Sequence, residues 1–132
     1  MTTARVYHSF LLLALTSIAA LAQQISFKSD ADKKQVSLGE AFTVGFFIES
    51  NTDSYSIDQP MKYPSHSGLQ IVGEQRSQNV SYVNGKGVIE DGIVLAFVAE
   101  KEGKYRVGAA KIVVNGKTYT SKPVDIEVKG TG

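Results

Sequence analysis

The sequence predicts an all-β protein, an antiparallel β-sandwich of about seven strands with no disulfide. Three observations carry that prediction. Apolar and polar residues alternate in short runs, as in Phe42-Thr43-Val44 and Val124-Asp125-Ile126-Glu127-Val128, which is the period of a half-buried strand. Two Asn-Gly pairs, Asn84-Gly85 and Asn115-Gly116, stand between such runs, and Asn-Gly accepts the positive φ of a two-residue hairpin turn at little cost. Nowhere do apolar residues recur at the spacing of an amphipathic helix. The 132 residues suit one domain. There is no cysteine, which excludes a thiolate nucleophile and a cysteine metal site. A chain of this size buries enough surface to fold without a cross-link.

Residues 1–22 read as a secretory signal peptide. Arg5 supplies the positive n-region, residues 10–21 the apolar stretch, and Ala20-Leu21-Ala22 the small-x-small cleavage pattern. Cleavage is expected before Gln23, leaving one domain over residues 23–132 that is periplasmic or secreted. The formal charge is +1, from 14 Lys+Arg against 13 Asp+Glu. Losing Arg5 makes the mature chain neutral. Both signs are interspersed, so nucleic acid is not expected as a partner.

In chain order, Ile25 and Phe27 share one face of a first short strand, and Asp30-Ala31-Asp32-Lys33-Lys34 is a polar break. Val36 and Leu38 alternate, Gly39-Glu40 turns, and Phe42, Val44, Phe46 and Ile48 form the inward file of a long strand, with Phe47 on its other face. Residues 50–67 are the least regular, and Pro60 and Pro64 make them loop or edge. Two short strands are expected at residues 69–74 and 77–83, then the Asn84-Gly85 turn. Residues 92–99 are nearly all apolar, and their β-branched content, Ile93, Val94 and Val98, suits a central strand.

The chain then turns a polar corner into Glu102-Gly103-Lys104-Tyr105-Arg106-Val107. Gly-x-Tyr after such a corner marks the start of strand F in immunoglobulin-like sandwiches, where the tyrosine hydroxyl bonds back to the corner backbone. Gly103 and Tyr105 are therefore assigned a structural role. Val107 stands where antibody domains carry a cysteine. Gly108-Ala109-Ala110 reads as a bulge, and Pro123 interrupts the last strand.

Little in the residues carries chemistry. The histidines are His8, in the leader, and His66. One mature histidine without cysteine makes no usual zinc site, and no Gly-x-Ser-x-Gly elbow accompanies it. The acidic residues Asp30, Asp32, Glu40, Glu90 and Asp91 follow no calcium-loop order and read as solvated turns. No phosphate loop is present, and Asn79-Val80-Ser81 matches a glycosylation acceptor by pattern alone. No cofactor or metal is expected. Tyr55, Met61 and Tyr63, in the long irregular segment, are the candidate interface residues, because tyrosine and methionine are enriched at interfaces and function favours long loops.

Val36-Ser37-Leu38-Gly39-Glu40-Ala41-Phe42-Thr43-Val44, the 102–107 corner and Asn115-Gly116-Lys117-Thr118-Tyr119-Thr120-Ser121-Lys122-Pro123-Val124 together resemble the first periplasmic domain of the BatD family of Bacteroides aerotolerance proteins. The resemblance implies a non-enzymatic module in an envelope complex linked to oxygen or stress tolerance. It also implies a protein partner of the von Willebrand factor A-domain membrane type. Association with the membrane is expected only where the domain is a fragment of an anchored protein. A carbohydrate- or small-ligand-binding sandwich, with Tyr55, Tyr63 and Tyr82 as a platform, is the alternative. A hydrolase built on His66 is a third reading.

Overall fold

The computed structural model describes residues 24–52 and 55–130, and within them it forms ten strands and no helix. The expected signal segment, residues 1–22, lies outside them. The strands are β1 (Ile25–Ala31), β2 (Gln35–Ser37), β3 (Phe42–Ser50), β4 (Ile57–Lys62), β5 (Leu69–Val83), β6 (Lys86–Ala99), β7 (Gly103–Val107), β8 (Lys111–Val114), β9 (Lys117–Thr120) and β10 (Val124–Lys129). Sheet order is β1-β3-β6-β5 in one layer; the other holds β2-β10-β7 and β4-β8-β9. Since β7 runs on into β8 and β9 into β10, the second layer is two long bent strands flanked by β2 and β4. This is the immunoglobulin arrangement of an ABED sheet facing a CFG sheet.

The strand count exceeds the expected seven or so for a physical reason. The last two long strands each bend at small or proline-containing segments, residues 108–110 and 121–123, and the first breaks at its charged stretch to give β1 and β2. One pairing also departs from the antiparallel expectation, since β2 lies parallel to β10. Pro60 does not prevent a strand at β4, because β4 is an edge that pairs only with β8, through register shifts on either side of Gln59. The two short strands expected at 69–74 and 77–83 are one. A bulge between Ile71 and Gly73 absorbs the irregularity, and pairing with β6 continues to the Val83–Lys86 pair.

The alternation read in β3 gives the core. Phe42, Val44, Phe46 and Ile48 are buried together with Leu95, Phe97 and Ala99 of β6. Across the layers they meet Val36, Val107, Ile112, Val114, Ile126 and Val128. The Phe42 and Phe97 rings stack with centroids 5.7 Å apart. Each such buried side chain contributes about 1.5–3 kcal/mol. The ion pairs Lys33–Glu40 and Arg106–Asp125 are exposed and screened by solvent, so the apolar core holds the layers together. On the outer face Phe47 lies over Gly45 and Gly92, where a Cβ would stand only 2.5 and 2.6 Å from its ring. Both hairpin turns take positive φ at both residues, 53° and 77° at Asn84-Gly85 and 50° and 76° at Asn115-Gly116, the type I′ pattern.

At the corner, the Tyr105 hydroxyl donates to the Lys101 carbonyl at 2.6 Å. Gly103 holds φ 150°, and the half-buried Tyr105 ring approaches Gly68, where a Cβ would be 2.7 Å from Cε1. The hydroxyl thus ties the end of the β6–β7 connection, and the ring closes over the loop entering β5. Tyr105→Phe keeps the ring and removes that one hydrogen bond. It is expected to lower stability by about 1 kcal/mol, read as a shift of the urea midpoint with an unchanged slope.

Candidate functional site

A groove of about 600 Å³ lies beside β4, β8 and the loop leading to β5. Lys62, Tyr63, His66, Leu69, Ala109 and Lys111 are among its lining residues. Strand register sets Lys62 directly opposite Lys111, an unfavourable placement of like charges. No aspartate or glutamate lines the groove.

The loop over this groove is tied down by its own backbone. Gly108 N–H donates to the Ser65 carbonyl at 2.8 Å and Leu69 N–H to the His66 carbonyl at 2.9 Å. Ser65 packs on Gly108: a Cβ there would lie 2.4 Å from the Ser65 Oγ, which would have to rotate away, and 3.5 Å from the Ser65 backbone. His66 Nδ1–H donates to the Pro64 carbonyl at 3.0 Å, and its ring packs against Phe97 at 5.7 Å. Among the described residues no hydrogen bond joins His66 to a serine or a carboxylate.

A second, smaller pocket of about 200 Å³ opens between the layers beside β5. Phe46, Ile48, Met61, Ile93 and Ile112 line it, with Arg76 and Asp91 at polar positions. Asp91 lies opposite Ile48 in the β3–β6 register and so shares the inner face. It is part of a strand, not the solvated turn expected for Glu90-Asp91. By contrast Asp32 and Glu40 do cap backbone. Asp32 Oδ1 accepts from Thr43 N–H at 2.8 Å, and Glu40 Oε1 from Ser37 N–H at 3.0 Å. The Ser37 N–H, followed by the Lys33 ammonium, holds the Glu40 carboxyl below its ordinary range.

The three candidate interface residues separate. Tyr63 is 43 % exposed on the groove. Met61 is 7 % exposed; it is the inward residue of β4 and a core side chain, so it offers no contact surface. Tyr55 is half-buried against the core, and its buried hydroxyl finds no hydrogen-bond partner among the described residues. Tyr82, 78 % exposed, ends β5 while Tyr63 lies by its start, about 40 Å away by strand rise. The tyrosine platform of the carbohydrate-binding alternative is therefore not assembled. The lysine pair escaped the sequence reading, since Lys62 and Lys111 are neighbours only through strand pairing. Among the described residues no group of three or more His, Cys, Asp or Glu could hold a metal ion.

Layer order, tyrosine corner and core define an immunoglobulin-like β-sandwich whose distinctive surface is a groove bearing two lysines. The chain belongs to the BatD family, because the family model described as the BatD DUF11 like domain matches residues 29–128, from β1 into β10. No curated protein matches the chain significantly.

Burial pushes the Asp91 carboxyl above its ordinary range, because the charged form loses water and, among the described residues, gains no ion pair. The folded protein thus keeps this proton to higher pH than the unfolded chain does. Stability falls as pH rises from the unfolded value, about 3.9, through the folded one. Asp91→Asn is accordingly expected to raise the urea midpoint at pH 7, the gain vanishing as pH drops below about 3.9. An equal gain at both pH values would assign the effect to packing instead of charge.

Proposed function

We propose that this domain is a non-enzymatic protein-interaction module of the BatD kind, exported to the envelope and working in a complex linked to oxygen or stress tolerance. The observation that carries the reading is the family match over residues 29–128, which spans nearly all of the described sandwich. The contact surface is the groove, where Lys62 and Lys111 face each other without a carboxylate and Tyr63 stands exposed. Two uncompensated ammonium groups beside a tyrosine suit an acidic segment of a protein partner, since complementary charge sets register and speeds encounter. The partner is a membrane protein of the von Willebrand factor A type.

No observation favours the other two readings. The tyrosines do not converge, and His66 spends Nδ1 on the Pro64 carbonyl with its ring against Phe97.

The test is cross-linking of the tagged protein in its native envelope, with mass spectrometry of the captured species. A von Willebrand factor A-type membrane protein linked through Lys62 or Lys111 is the expected product. The double charge reversal Lys62→Glu, Lys111→Glu is expected to weaken binding of that protein at least tenfold, about 1.4 kcal/mol, with the fold intact. Capture that is indifferent to the reversal would move the interface elsewhere. Failure to capture any envelope protein would remove the reading.

A further inference from the structure

The first sheet ends in an edge that no other described strand covers. β5 is the last strand in the order β1-β3-β6-β5 and pairs only with β6, whereas β1, at the other edge, runs beside β9 and β10. From Glu74 to Tyr82 every residue of β5 is exposed, so the strand is held by its ladder to β6 alone over this stretch. A free edge of this kind is a template for another strand, and proteins guard such edges with charge, proline or bulges. Here the guards stand in the first half only. The bulge lies between Ile71 and Gly73, and Glu74 and Arg76 follow. Residues 77–83, Ser-Gln-Asn-Val-Ser-Tyr-Val, carry no charge and no proline, and Val80 and Tyr82 are 56 % and 78 % exposed.

The ladder fixes which groups are free. Asn84-Gly85 closes a two-residue type I′ turn, which makes Val83 and Lys86 a hydrogen-bonded pair. Alternation along the uninterrupted register from Gly73 to Val83 then directs the N–H and C=O of Arg76, Gln78, Val80 and Tyr82 to the open edge.

We infer that this edge pairs with the same edge of a second copy, antiparallel about a two-fold axis at Asn79, joining two four-stranded sheets into one. The edge is complementary to itself in that register. Gln78 and Val80 face Val80 and Gln78 of the second copy, both through outward-directed N–H and C=O groups. Arg76, which has no ion pair among the described residues, falls opposite Tyr82 of the second copy, within range of a cation–π contact. Glu74 reaches the second copy's hairpin tip, whose only charge is Lys86. Every charge along the segment thereby gains an attractive neighbour, and no like charges meet. A closed two-fold contact also uses up both edges, which stops further growth. The pairing is independent of the groove, which lies by the opposite end of β5.

Sedimentation equilibrium of the purified full chain, with hydrogen exchange read residue by residue, tests the inference. The expected results are a mass of two chains and slow exchange at the outward amides of Arg76, Gln78, Val80 and Tyr82. Val80→Lys sets two ammonium groups diagonally across the axis and is expected to give a monomer that still melts cooperatively, with those four amides exchanging at least tenfold faster. Gln78→Pro removes one outward N–H and leaves the β6 ladder intact; it should likewise give a monomer, with the three remaining outward amides, of Arg76, Val80 and Tyr82, exchanging faster. A monomer at every concentration would overturn the inference. So would a dimer that survives both substitutions, or edge amides protected only when a different protein is added.

Discussion

One seam, where the second layer changes direction, governs how the rest is placed. At residues 108–110 the chain leaves β7 and re-enters as β8, and at 121–123 it leaves β9 and re-enters as β10. Ser121, buried at 4 % exposure, donates its N–H to the Ala110 carbonyl at 2.9 Å, and its hydroxyl accepts from Ala110 N–H at 2.8 Å. Two backbone groups that leave the ladder at the bend are thereby satisfied by one serine. Left unpaired in the interior, the Ala110 N–H would cost about 1–3 kcal/mol, a large part of the stability of a domain this small. The same bend presents Gly108 to Ser65 and so fixes the loop that walls the groove. Ala109 and Lys111 line that groove directly. The site is a consequence of the bend.

The β5–β6 hairpin runs past the end of β3, and both remaining features follow. The β3–β6 ladder stops at the Ser50–Ile89 pair, whereas β5 and β6 stay paired to Val83–Lys86. Toward its tip the inner face runs out of partners, first at the apolar pocket with Asp91 and Arg76, then at exposed Val80 and Tyr82. Burial by the opposing layer is what makes an inward position apolar. Where that cover stops, the constraint lapses: Arg76 and Gln78 are polar there, and Val80 and Tyr82 stand exposed. The outer face of the same sheet is treated differently, with Phe47 laid across Gly45 and Gly92.

Most of the frame was legible because it rests on local signals. The alternation at Phe42, Val44, Phe46 and Ile48, the two Asn-Gly turns and the Gly103-x-Tyr105 corner each state their structure within a few residues. What was not legible depends on pairing across long separations. Residues 75–76 read as a gap because they are polar on both faces, yet β6 holds them in strand through backbone bonds. Ile57–Lys62 hid behind Pro60, which an edge tolerates. Met61 read as a contact residue because its segment looked like loop; once β8 recruits that segment, the methionine turns inward. For the site, Tyr63 was visible as an aromatic in a proline-rich stretch, whereas the Lys62–Lys111 opposition exists only in the β4–β8 register. The Asp91 carboxylate was visible in the sequence, but its burial was not.

The claim that the seam holds the groove in place is tested most directly by native-state hydrogen exchange on Ser121→Ala. The loss of the hydroxyl leaves the Ala110 N–H without its partner. The account predicts that the amides of Ala110, the β8 ladder and Gly108 exchange faster together, by about tenfold or more for a loss of about 1–3 kcal/mol. The β3–β6 core amides should show only the change in global stability. Unchanged exchange at Gly108 and β8, with the loss spread evenly over both layers, would contradict it and make the bend a passive feature of a frame held by the apolar core alone.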